Sequence, residues 1–197
     1  MSDPTVAAVP VRDTGEPLRE LPAAFGPARA RVRAGLAARL DLAQHLLPDG
    51  LALRVVEGHR PLAAQQTIVA AYREVVRAAH PGAGAEELLH LTSRFVAPVD
   101  VAPHVAGAAV DLTLVDADGA ELDLGTPVDA TPEDSAGACF TAAELPAAAR
   151  RDRDLLVRTL SAAGLVNYPT EWWHWSFGDR YWAVVTGAPA ALYGPLP

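Results

Sequence analysis

Three of the chain's four tryptophans fall within one short stretch, Thr170-Glu171-Trp172-Trp173-His174-Trp175. Indole area on this scale has to leave water, so the fold must close around these residues. The same stretch carries a carboxylate and an imidazole into the water-poor region. Such groups have perturbed proton affinities or are held by a metal. A core strand with one satisfied histidine and an edge glutamate is the competing reading, and the rest of the chain has to decide between them.

The 197 residues favour one domain, and 50% hydrophobic with 20% charged residues is a globular balance. All 16 basic residues are arginine, against 24 acidic ones, for a net charge of -8. Without clustered cations, neither a nucleic-acid nor an anionic-membrane surface is expected. The single cysteine, Cys139, excludes an internal disulfide framework and a multi-cysteine zinc site, and reads as a passive free thiol. Residues 1–10 show no basic n-region and no signal-peptide apolar run. No window approaches a membrane span. The expected location is the cytoplasm.

Along the chain, the Pro-punctuated residues 1–24 read as an extended arm, and 25–197 as the domain. From Pro27 to Leu47, Val32, Leu36, Leu40, Ala43 and Leu47 recur at helical spacing. Residues 51–56 read as a strand running into the turn Glu57-Gly58-His59-Arg60-Pro61, which places Arg60 at a strand-to-helix junction. The next helix, with Ile68, Tyr72 and Val75/Val76 on one face, stops at His80-Pro81-Gly82. A short helix over 86–91 and a Pro-punctuated connector over 97–103 follow. His45, His80 and His90 are read as structural or surface residues.

Residues 109–115 alternate as a strand, with Val110, Leu112 and Leu114 on one face and Ala109, Asp111 and Thr113 on the other. Asp is disfavoured inside strands, so Asp111 in so apolar a run needs a partner. Asp118-Gly119 reads as a hairpin turn with 121–124 returning, 125–141 as a long loop, and 146–163 as a helix stopped by Gly164. Residues 165–168, 171–177 and 180–186 read as closing strands, the last two joined at Gly178-Asp179. The expected architecture is α+β, a single domain with a central antiparallel sheet, helices packed around it and a zinc site at the sheet.

His104, Asp111 and His174 have the chemistry of a catalytic zinc: two imidazoles, a carboxylate and a position left for water. Glu171 is the candidate general base. One geometric condition attaches to it. In a regular strand, residues three apart face opposite sides, so Glu171 and His174 share a site only if the backbone bends between them.

Gly58-His59-Arg60-Pro61, then the run from His104 to Leu114, then Glu171-Trp172-Trp173-His174 appear in an order that resembles the bacterial D-alanyl-D-alanine dipeptidases, within the wider group of zinc D,D-peptidases. The resemblance spans about 30–186. It implies one zinc per chain on His104, Asp111 and His174, Glu171 as base, and Arg60 steadying charge on the attacked carbonyl. It also implies that Asp129 holds the substrate's ammonium; a solvated loop aspartate is the alternative. Many members have Tyr where His59 stands, Ser where this chain has Ala102, and Gly or Ser where it has Ala108.

The expected reaction is hydrolysis of D-Ala-D-Ala to two D-Ala, with a small dipeptide as the only partner and the oligomeric state left open. Rival expectations are a D,D-carboxypeptidase or other stem-peptide peptidase, or a silent peptide-binding module on the same fold. A non-haem iron oxygenase, which also uses two His and a carboxylate, is a more distant rival.

Overall fold

The computed structural model describes residues 3–93, 96–98 and 101–196. Positions 1 and 2 of the arm, 99 and 100 of the connector and 197 of the tail lie outside the described residues. In chain order the elements are α1 (Pro4–Ala8), β1 (Leu18–Glu20), a 3-10 turn (Ala23–Phe25), β2 (Arg31–Arg33), α2 (Ala34–Leu46), β3 (Ala52–Glu57), α3 (Leu62–Ala79) and α4 (Ala85–Ser93). Then follow β4 (Ala109–Val115), α5 (Ala147–Ala162), β5 (Val166–Tyr168), β6 (Glu171–Ser176) and α6 (Arg180–Thr186).

A four-stranded antiparallel sheet in the order β3-β4-β6-β5 forms the centre, as the sequence pattern implies. Every residue of β4 is buried, so the sheet is covered on both faces. Val110, Leu112 and Leu114 join Leu53, Trp175, Leu36 and Leu40 of α2, and Leu156 and Leu160 of α5 in one core. Their opposite-facing neighbour Asp111 opens onto a cavity lined also by α3 and α4 residues. Among the described residues, no helix is long and apolar enough to cross a membrane.

Several elements differ from the sequence pattern. The helix expected from residue 27 begins only at Ala34, because Arg31–Arg33 pair with Leu18–Glu20 as strands. Strand pairing with a distant segment leaves no trace in local periodicity. The expected strand over 121–124 reduces to a single bridge, Val115 with Glu121. The segment 180–186 is a helix, not a strand. Asp179 caps it, its carboxylate accepting from the backbone N–H of Trp182 at 2.9 Å and of Tyr181 at 3.3 Å. Gly178-Asp179, read as a hairpin turn, is therefore a helix start. On α3, Val76 is buried but Val75 is exposed, because the face it shares is only partly covered.

The arm lies against the domain and contains the short helix α1. Arg33, almost fully buried, ties it down. Its guanidinium donates to the Asp13 carboxylate at 2.8 Å and to the carbonyls of Glu16 at 2.6 Å, Ala106 at 2.9 Å and Gly194 at 3.2 Å. One side chain thus joins the arm, the C-terminal segment and the loop that presents His104.

Candidate active site

His104 sits in the tight turns preceding β4. The backbone N–H of Val105 reaches the Ala102 carbonyl, that of Ala106 the Pro103 carbonyl and that of Gly107 the His104 carbonyl. Gly107 turns the chain at φ +64, and a Cβ there would lie 2.5 Å from Leu18, so no other residue fits without displacement. Asp111 follows on β4 and pairs in register with His174 on β6. The three side chains offer ligand atoms within 4.8 Å of one another, and all three are buried.

Ring orientation agrees with a metal. His104 donates Nδ1–H to the Gly58 carbonyl at 2.8 Å, which turns Nε2 toward His174 Nδ1 at 3.2 Å and Asp111 Oδ2 at 3.4 Å. His174 Nδ1 lies 3.0 Å from Asp111 Oδ1. Two imidazole nitrogens and a carboxylate oxygen converging in this way form the donor set of a catalytic zinc. Burial pushes the Asp111 carboxyl up, but the His104 charge outweighs that and holds it low. Burial likewise lowers His104, and Asp111 more than reverses this, raising the ring to about 9. A divalent cation satisfies the same demand for positive charge.

The condition set on Glu171 is met by a break in the sheet. Tyr168 pairs with Glu171 and the adjacent Asn167 with Trp175, so Trp172, Trp173 and His174 have no counterparts on β5. This bulge brings Glu171 and His174 to the same side. Glu171 Oε2 lies 3.8 Å from His174 Nδ1, near the three-ligand cluster but outside it. Burial raises its carboxyl above the usual range; His174 opposes the shift and Asp111 adds to it. The Trp172 ring packs edge-on to Trp173, and the Trp172 backbone N–H donates to the Cys139 carbonyl at 3.1 Å. The thiol of Cys139 itself is free and buried.

A second irregularity serves Arg60. Val55 pairs with Leu112 but Glu57 with Asp111, leaving Val56 extra on β3 and re-aiming Glu57. Glu57 grips Arg60 Nε at 2.8 Å and also Nη2, and Gln65 accepts from Nη1 at 2.7 Å. Of the five guanidinium N–H groups, two are left for other acceptors. The Glu57 hydrogen bond leads a rise in the Arg60 pKa, so this cation is permanent.

Arg60, Asp129, Glu171, His104, Asp111 and His174 all line one cavity of about 360 Å³. That is ample for a small ligand. Asp129 enters it from the long loop with a left-handed backbone, φ 65. Burial raises its carboxyl, and Asp111 and Glu57 add to the shift. Ala102 also lines the cavity, whereas His59 does not.

The sequence pattern did not single out Glu57, Gln65 or Tyr168. Glu57 carries one readable signal, an acid three residues before a junction arginine. Gln65 and Tyr168 carry none.

The profile of the D-ala-D-ala dipeptidase family matches residues 29–186. The chain belongs to the D-Ala-D-Ala dipeptidase family. A D-alanyl-D-alanine dipeptidase of Synechocystis is 30% identical over 219 residues, an alignment covering 89% of this chain and 87% of that one. The Escherichia coli D-alanyl-D-alanine dipeptidase is 39% identical over 71 residues, covering 36% and 35%. A vancomycin-resistance D,D-pentapeptidase solved with Zn(II) is similar at 18% identity and TM-score 0.43, covering 96% of each chain. The family match spans the cavity residues from Glu57 to His174.

Proposed function

We propose that this chain is a zinc-dependent dipeptidase that hydrolyses D-Ala-D-Ala to two molecules of D-Ala. The observation that carries the reading is the position of Glu171, 3.8 Å from His174 Nδ1 and outside the ligand cluster. Zinc on His104, Asp111 and His174 would supply a Lewis acid that polarises the scissile carbonyl and acidifies water at the open position.

Glu171 takes a proton from the attacking water as the water oxygen bonds to the carbonyl carbon. Its raised pKa suits the return of that proton to the leaving nitrogen when the C–N bond breaks. The two spare N–H groups of Arg60 stabilise the negative oxygen, and its grip by Glu57 and Gln65 keeps the guanidinium aimed beforehand. Asp129 holds the substrate's ammonium. Because only a very short peptide presents an ammonium next to the scissile bond, this contact selects dipeptides. The products are one free D-Ala with a new carboxylate and one with a new amine.

The arm of residues 1–24 is fastened to a catalytic domain of 25–197, and the cytoplasm is the site of action. The match of the family profile from residue 29 supports the division. The location is tested by fractionation of producing cells.

Glu171→Ala is expected to retain zinc and to lose roughly 10²–10⁴-fold in kcat on D-Ala-D-Ala. Zinc content by metal analysis and turnover of D-Ala-D-Ala, L-Ala-D-Glu and L-Ala-L-Ala make the test. Wild-type turnover by the zinc-loaded variant would remove Glu171 from the mechanism. No turnover of any dipeptide by the zinc-loaded parent would favour a binding module.

A further inference from the structure

The proposed base and the proposed ligand His174 share a face only because β6 leaves the regular pleat between them. Such a bulge turns backbone carbonyls away from the ladder, and they need donors. One side chain supplies those of Glu171 and His174, while the Trp175 indole N–H donates to that of Trp172 at 3.0 Å. The Asn167 amide nitrogen lies 3.1 Å from the Glu171 carbonyl and 3.0 Å from the His174 carbonyl, with the Trp172 carbonyl at 3.4 Å. These carbonyls belong to both ends of the irregular segment.

The other end of the same amide is anchored. The Thr141 hydroxyl donates to Asn167 Oδ1, and the Thr141 backbone N–H donates to the Pro169 carbonyl at 2.9 Å. Thr141 closes the loop that carries Asp129. Asn167 therefore spans from the substrate-loop side to the carbonyls of Glu171 and His174. Its amide offers two N–H donors and an acceptor, the combination this position uses.

We propose that Asn167 is a positioning residue for the reaction: it pins the β6 bulge and thereby fixes the Glu171 carboxylate relative to His174. This rests on the reading of Glu171 as base and His174 as metal ligand. An aspartate here has the same shape but directs acceptors at three carbonyls, and an alanine offers nothing to them. Either change lets the bulge relax, which moves the Glu171 carboxylate from its place beside His174. A base displaced by about 1 Å costs on the order of 100-fold in rate. Asn167→Asp keeps an oxygen acceptor for the Thr141 hydroxyl, so in that variant the loop carrying Asp129 stays anchored.

The test compares wild type with Asn167→Asp, Asn167→Ala and Thr141→Val, each loaded with zinc and assayed on D-Ala-D-Ala. Asn167→Asp is expected to lower kcat about 100-fold with KM unchanged, and Thr141→Val to lower it less. A second readout does not need turnover. Cobalt(II) in place of zinc should give visible absorption bands that differ between wild type and Asn167→Asp, because the His174 backbone is one of the groups released.

Wild-type kcat in zinc-loaded Asn167→Asp overturns the proposal, as does a rise in KM that accounts for the whole loss. Should Asn167→Asp fail to fold, Thr141→Val decides, and unchanged kcat there overturns it. If wild type itself is inactive on every dipeptide, the functional reading falls. The cobalt spectra then decide the role of Asn167, identical bands counting against it.

Discussion

Replacing Arg153 by methionine tests how the loop that carries Asp129 is held. Arg153 is fully buried. Its guanidinium donates to the carbonyl of Leu124 at 3.0 Å and to those of Ala138 at 3.0 Å and Phe140 at 2.7 Å. These carbonyls lie at the two ends of the loop that carries Asp129. The same group stands over the Trp172 ring at 5.4 Å, and Trp172 Nε1 donates to Thr126 at 2.8 Å. Burial lowers the Arg153 pKa to about 10, so it remains a cation at neutral pH. Arg153→Met preserves the aliphatic packing but removes the hydrogen bonds to three carbonyls, of which that of Phe140 keeps the Ala143 N–H at 2.9 Å. At about 1 kcal/mol each, the loss is about 3 kcal/mol, with partial relief from no longer burying a charge. For a chain of this size, about 2–4 °C per kcal/mol gives a Tm lower by roughly 10 °C. With the loop ends released, KM for D-Ala-D-Ala should rise while the zinc content stays at one per chain. Calorimetry and steady-state kinetics on the zinc-loaded variant read both effects. A Tm within about 2 °C of wild type, together with an unchanged KM, would refute the reasoning.

Three further outcomes follow from the same geometry. Chelation should lower Tm, because zinc present at 100 times its Kd stabilises the folded chain by about 2.7 kcal/mol; a Tm indifferent to chelator and to zinc would contradict the ligand set. Asp129 has a raised pKa, so its carboxylate is lost on acidification at a higher pH than an ordinary aspartate's. Accordingly kcat/KM should fall on acidification as both Asp129 and the base Glu171 are protonated, and Asp129→Asn should be slow at all pH values with a shallower acid limb left to Glu171 alone; an acid limb of unaltered steepness in the variant would exclude the assignment. Asp179→Ala removes the cap of α6 and the acceptor of the Ser176 hydroxyl, and should cost about 1–2 kcal/mol by urea unfolding, whereas a change below about 0.3 kcal/mol would show the cap to be dispensable.

The residues that converge on the cavity were readable in the sequence, and the backbone that brings them together was not. Asp111 announced itself because a carboxylate in an apolar strand has to find a partner, and that partner is His174 in the adjacent strand. The strand β3 and the helices α3 and α5 could be read from turn residues and apolar spacing, which are local signals. The strand pairing of 18–20 with 31–33 is not local, and so apolar spacing alone extends α2 too far toward the N-terminus. Asp179 shows a different limit, since one Gly-Asp pair serves equally as hairpin turn or helix start, and only the N–H groups it meets decide. Asn167 and Arg153 were invisible for a related reason. What they do depends on which carbonyls the rest of the fold turns toward them.

The Arg33 clamp also bears on how the protein is made. Its guanidinium bridges to the Gly194 carbonyl across 161 positions of sequence. A ribosome adding about 5–20 residues per second needs roughly 8–32 s to traverse that span. Throughout that interval the nascent chain holds a cation destined for the interior, and β6 with its indoles has yet to emerge. Arg33 meets Asp13, Glu16 and Ala106 long before Gly194, so the clamp closes in stages and its last contact waits for the C-terminal segment.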